Sequence, residues 1–177
     1  MTELQELAEA IRRLNTAGDD IARIIGRPAE RSHAGEFIAS RVFGIQLHEW
    51  AEHRYSDGIF ESGPLAGRAV NVKWYGHWGC LLDLHEDVPA GLCHLVLTGS
   101  AAQAVSSKGK KSPWNVTYAF LLDTDVLIPA LRARGVRIGI ATSVPKQLWL
   151  DAEVYPSACS PLLRLTDGQK QMLALFH

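Results

Sequence analysis

Ser56 to Trp74 reads SDGIFESGPLAGRAVNVKW, and the fold turns on this stretch. Asp57 heads a short apolar run, Gly63-Pro64 marks a turn, and a second run alternates apolar Val70, Val72 and Trp74 with Asn71 and Lys73. Alternation with period two, interrupted by turn residues, predicts a β-hairpin. Strand side chains alternate faces, so Asn71 and Lys73 share one face and Val70, Val72 and Trp74 the other. With Asp57 at the facing end of the partner strand, three polar groups meet at one sheet edge. Hard oxygen ligands beside an amine are what metal-dependent phosphodiester cleavage uses: the oxygens hold a divalent cation, and the amine activates water or offsets phosphate charge.

Just upstream, Gly35 to Gly44 (GEFIASRVFG) lies in a segment with helical spacing, about Ser32 to Phe43, that buries Phe37, Ile38 and Val42 and ends at Gly44. Glu36 stands at the margin of that apolar face. Asp57, the hairpin, Asn71-Val72-Lys73 and the helix-borne Glu36 together resemble the PD-(D/E)XK, or restriction-endonuclease-like, nuclease superfamily. The resemblance covers roughly Ser32 to Gly135. It implies an α/β (α+β) fold, a mixed sheet of five or six strands flanked by helices, and a Mg2+- or Mn2+-dependent nuclease acting on nucleic acid, DNA ahead of RNA. In the site it implies, Glu36 and Asp57 hold the metal, Asn71 and the backbone carbonyl of Val72 complete the shell, and Lys73 serves the attacking water or the phosphate. Two positions depart from the family pattern: Ser56 stands where it has proline, and Asn71 stands where it has the second carboxylate. Asn offers a carbonyl oxygen but no charge, so metal affinity falls unless Glu36 supplies the missing charge. That departure motivates an alternative, a catalytically degenerate protein of the same fold that binds nucleic acid or a protein partner.

Each residue also has a plainer reading. Asp before Gly is a common turn residue, a strand lysine guards an edge against aggregation, and a glutamate in a first helical turn suits the helix dipole. A third reading draws on His77, Cys80, Cys93 and His94 as a zinc set, against which stands the adjacency of Cys93 and His94.

Composition narrows the classes. The chain has 177 residues, 47% of them apolar, and a net charge of −1, which suits one domain with one continuous core and excludes a uniformly basic nucleic-acid coat. Contact with phosphates then needs a local patch, for which Arg68 and the loop lysines Lys108, Lys110 and Lys111 are the candidates, with Arg132, Arg134 and Arg137 as further options. Apolar runs are strand-length, far short of the ~20 residues of a membrane span, and the acidic amphipathic start is unlike a signal peptide. Three scattered cysteines do not make a disulfide framework, so a cytoplasmic location is the default expectation.

Around this core, residues 1–28 are expected as a helical extension, with Thr2 and Gln5 as a capping box, a first helix to Asn15, a break at Gly18-Asp19-Asp20 and a short second helix, Ile21 to Ile25. These helices are read as packing on the core or as a homodimerisation element. The nuclease-like core spans 32–150 and a tail with a last helix spans 151–177. Within the core, Leu92 to Gly99 and Pro113 to Leu122 read as buried strands, Asp125 to Arg134 as a helix, and Val136 to Thr142 and Gln147 to Leu150 as further strands.

Overall fold

A computed structural model describes residues 2–49, 54–100 and 113–177. Helix α1 (Glu3–Ile25) opens with the expected capping box: Gln5 N–H donates to Thr2 Oγ1 at 3.3 Å and Thr2 N–H to Gln5 Oε1 at 2.7 Å. The helix runs unbroken through Gly18-Asp19-Asp20 and stops only at Gly26, whose φ of 71° is the left-handed conformation glycine tolerates. One interior glycine costs about 1 kcal/mol relative to alanine. That is too little to break the helix, and a side chain at Gly18 would lie over Ala29.

Helix α2 (Arg31–Phe43) follows and ends at Gly44, then come β1 (Ile45–Leu47), β2 (Gly58–Phe60) and β3 (Ala69–Tyr75). The predicted hairpin is present. β2 runs antiparallel to β3 with Gly58 opposite Val70 and Ile59 opposite Ala69, and a 3-10 turn at Gly63–Leu65 lies between them. Beyond β3, β4 (Leu81–Leu82), β5 (Cys93–Thr98), β6 (Tyr118–Asp123), α3 (Thr124–Arg132), β7 (Thr142–Ser143), α4 (Lys146–Asp151), β8 (Glu153–Tyr155) and α5 (Asp167–Ala174) complete the order.

The main sheet has six strands in the order β1-β2-β3-β5-β6-β8, and all its pairings are antiparallel except β3 with β5. β4 and β7 form a separate antiparallel pair. Helices cover both faces. On one, α2 and Leu173 of α5 pack over Val70, Val72, Trp74, Cys93, Leu95 and Leu97; on the other, α3 and Trp149 of α4 pack over Val96, Phe120 and Leu122. The fold is therefore mixed α+β, a sheet between helical layers.

Three local expectations are corrected. Gln147 to Leu150 lies in helix α4 rather than a strand, because Trp149 is drawn into the second core from a helical turn following Pro145. Only Thr142 and Ser143 of the Val136–Ser143 region pair as strand. Residues 151–177 are not a tail: β8 forms the sixth strand of the sheet, and α5 seals the first core. Among the described residues, no helix is long and apolar enough to cross a membrane.

Candidate functional site

The site forms where β2 stops following β3. Asp57 N–H still donates to Val70 O at 2.8 Å, and Asp57 O accepts from His48 N–H at 2.9 Å, so the ladder reaches this residue. At the next rung the chain has turned away, and Val72 N–H donates instead to Asp57 Oδ2 at 2.6 Å. A side-chain carboxylate has taken the place of a backbone carbonyl. In an antiparallel ladder a residue's C=O points to the same side of its strand as its N–H, so the Val72 carbonyl opens toward the same gap.

Burial pushes the Asp57 carboxyl above the usual carboxylate range; the Val72 N–H opposes this, Glu36 adds to it, and Lys73 and His48 counter it. Asp57 thus feels Glu36 from the helical layer and Lys73 from its neighbouring strand, which puts both in electrostatic reach. Glu36 is held there by α2, whose Gly35 closes onto β3: a Cβ at Gly35 would stand 3.0 Å from Trp74 Cβ. Glu36 is 15% exposed and forms an ion pair with Arg27, so part of its charge is already neutralised. His48, on the approach to the site, contacts Ser56 Oγ through Nε2 at 3.1 Å. Tyr55 OH donates to Asp87 Oδ2 at 2.6 Å, fastening this rim to the turn before β5.

β3 shows the expected alternation. Val70, Val72 and Trp74 are buried beneath α2, while Asn71 and Lys73 lie half-buried on the opposite face. There Asn71 is directly across from His94 of β5. Asn71 Oδ1 and both ring nitrogens of His94 are buried without a hydrogen-bond partner. Burial, with Lys73 and His85 nearby, pulls the His94 imidazole down to about 4, so it is neutral at physiological pH. In the sequence His94 stands out only as a candidate zinc ligand beside Cys93. The signal for its place here is its strand register with Asn71, which becomes readable once β3 and β5 are known to be parallel neighbours.

The zinc set does not assemble. Cys93 points into the core beneath α2 and His94 into the opposite face, as alternation requires of adjacent strand residues, and His77 is exposed. Among the described residues no three His, Cys, Asp or Glu side chains come together. For a hard divalent cation, the chain offers the oxygens of Asp57, Glu36 and the Val72 carbonyl, whereas Asn71 Oδ1 is buried on the face opposite α2, across from His94, and is not brought to Glu36. The donor chemistry fits such a cation, with less negative charge than a pair of free carboxylates brings.

The proposed phosphate contacts divide. Arg68 is turned inward: Nη1 and Nη2 grip Asp123 at 3.0 and 2.9 Å, and Nε donates to Gly91 O at 3.0 Å. Its fork ties β3 to the start of α3, and this engagement removes it from the free cationic surface. Lys108, Lys110 and Lys111 lie outside the described residues. Arg132, Arg134 and Arg137 are exposed at and beyond the end of α3. The aromatic residues that follow Lys73 pack inward: Trp74 Nε1 donates to Asn115 O at 3.0 Å, and Trp78 packs on Tyr118 and Phe120.

No protein-family model, curated protein or solved structure gives a significant match to this chain.

Proposed function

We propose that the chain is a metal-dependent nuclease of the restriction-endonuclease-like class, hydrolysing phosphodiester bonds of DNA with Mg2+ or Mn2+. The observation that carries this reading is the Asp57 carboxylate closing the end of the β2–β3 ladder, with Glu36 and Lys73 both in its electrostatic field. Asp57, Glu36 and the Val72 carbonyl would hold the cation, which when bound supplies Lewis-acid stabilisation of the phosphoryl oxygens and a more acidic water. Lys73 orients the water nucleophile or offsets charge on the transferring phosphate. Half-burial of Lys73 and Asp57 keeps bulk water partly out, which strengthens both interactions.

The test is cleavage of plasmid and single-stranded DNA in Mg2+ or Mn2+ by the wild type beside Asp57→Ala and Lys73→Ala. Loss of ~100-fold or more in rate for each variant fits the assigned roles. Equal cutting by all three removes these residues from the mechanism.

A second reading, a degenerate nuclease fold that binds nucleic acid without cutting it, is favoured by the Arg27–Glu36 ion pair and by Asn71 in place of an acid. Salt-sensitive DNA binding with no heat on titration of Mn2+ supports this reading against the first.

A further inference from the structure

Helix α1 carries a feature that the proposed site does not use. Leu4, Leu7, Ile11 and Leu14 recur at intervals of three, four and three residues, and Gly18, Ile21 and Ile25 continue the same stripe. The two halves of the stripe meet different fates. Ile21 and Ile25 are half-buried and line an apolar groove with Ala34, Phe37 and Ile38 of α2. Leu4, Leu7, Ile11 and Leu14 stay 77, 55, 47 and 71% exposed, and none of the described residues of α1 is buried. Three-four spacing of apolar residues is the seam of a two-helix coil, and a short helix in water is marginal without such packing.

We propose that the first four turns of α1 pair antiparallel with the same turns of a second copy of this chain. With the two-fold axis passing beside Glu9, Leu4 of one copy meets Leu14 of the other and Leu7 meets Ile11, giving four apolar layers from four residues. The side chains flanking the seam are Ala8 and Ala10, small enough for the helices to approach closely. The same register places Glu3 of each copy on the same edge of the seam as Arg13 of the other, so opposite charges share that edge. The exposed stripe and its alanines offer roughly 500 Å2 per copy, about 1,000 Å2 in the dimer, which reaches the lower bound of a specific interface. A self-complementary patch of this kind is what two-fold symmetry requires. α1 meets α2 through Ile21 and Ile25, and the paired turns lie at its other end.

Sedimentation equilibrium of the full chain tests this. The wild type is expected as a concentration-dependent dimer, and Leu7→Glu/Ile11→Glu as a folded monomer whose near-ultraviolet circular dichroism, set by the buried core tryptophans Trp74 and Trp149, is unchanged. In a Cys159→Ser background, oxidised mixtures of Leu4→Cys with Leu14→Cys are expected to cross-link, and Leu7→Cys alone is not. A wild type that stays monomeric at all concentrations overturns the proposal, as does a double variant that remains dimeric. Self-cross-linking of Leu7→Cys overturns the antiparallel register.

Discussion

Val72 N–H donates to Asp57 Oδ2 at 2.6 Å, so a single carboxylate both completes the β2–β3 ladder and heads the candidate site. Its two roles separate by substitution. Asp57→Asn keeps an acceptor for Val72 N–H and removes a charge that burial disfavours. Asp57→Ala removes the acceptor and leaves a half-buried N–H without its bond, at a cost of about 1–3 kcal/mol. Denaturant unfolding at pH 7 is expected to rank Asp57→Asn at or above the wild type and Asp57→Ala below it, while both lose DNA cleavage. Stability gained where activity is lost marks a residue kept for chemistry. Equal destabilisation by both variants would make Asp57 a purely structural ladder group.

His94, across from Asn71, gives the fold an acid limit. In the unfolded chain an imidazole takes up its proton near pH 6.5; in the folded chain burial delays this to about 4. Between these values the unfolded state binds more protons, so stability is full above 6.5 and falls as pH drops toward 4, by roughly 3 kcal/mol in all. Asp57 acts with the opposite sign: its raised carboxyl takes its proton in the folded state first and contributes stability as the solution turns acidic. His94→Leu, close in volume and free of unpaired nitrogens, should match or exceed wild-type stability at pH 7 and flatten the slope between pH 6.5 and 4. Chemical unfolding measured across that range decides it, and an unchanged slope would assign the acid sensitivity elsewhere.

The parts legible in the sequence are those set by local pattern. Period-two alternation at Val70, Val72 and Trp74, the turn at Gly63-Pro64, and the capping box at Thr2 each act within a few residues. What escaped depends on partners far along the chain. Trp149 is helical because the second core has room for an indole beside Phe120, at 4.9 Å between ring centroids. β8 is a strand because β6 presents an edge to it. The site divides the same way. The common face of Asn71 and Lys73 follows from alternation, whereas the ion pair that occupies Glu36 needs Arg27, and the inward turn of Arg68 needs Asp123, fifty-five residues on.

Arg68 and Asp123 form a two-pronged pair on half-buried ground, and Asp123 Oδ1 also accepts from Asp125 N–H at 3.0 Å, capping α3. Arg68→Ala therefore leaves Asp123 and Gly91 O short of a donor at once, and a loss of about 1.5–3 kcal/mol is expected. Arg68→Lys should recover only part of it, because an ammonium cannot span both carboxylate oxygens and the Gly91 carbonyl in one plane. Thermal unfolding of the two variants beside the wild type measures this. Full recovery by lysine would mean that charge alone, not the fork, carries the interaction.

Gly58 follows Asp57, and space rather than backbone conformation is the reason for a glycine there. A Cβ at Gly58 would stand 2.4 Å from Gln46 O and 2.7 Å from Ile45 Cγ2, both on the neighbouring strand β1. Backbone cannot yield as a flexible side chain does, so Gly58→Ala must push β1 away from β2, at an expected cost of 1–3 kcal/mol or somewhat more. Gly63, at the hairpin turn, is a control of the opposite kind: its φ is 76°, and nothing lies within 4 Å of an added Cβ. Gly63→Ala should cost about 1–2 kcal/mol through left-handed strain alone. The decisive difference is in function. Movement of β2 carries Asp57 off the Val72 N–H, so Gly58→Ala should lose DNA cleavage even at temperatures where it is fully folded, whereas Gly63→Ala should cut at the wild-type rate once folded. Cleavage assays at matched folded fractions separate the two, and equal activity would break the link between the β1–β2 contact and the position of Asp57.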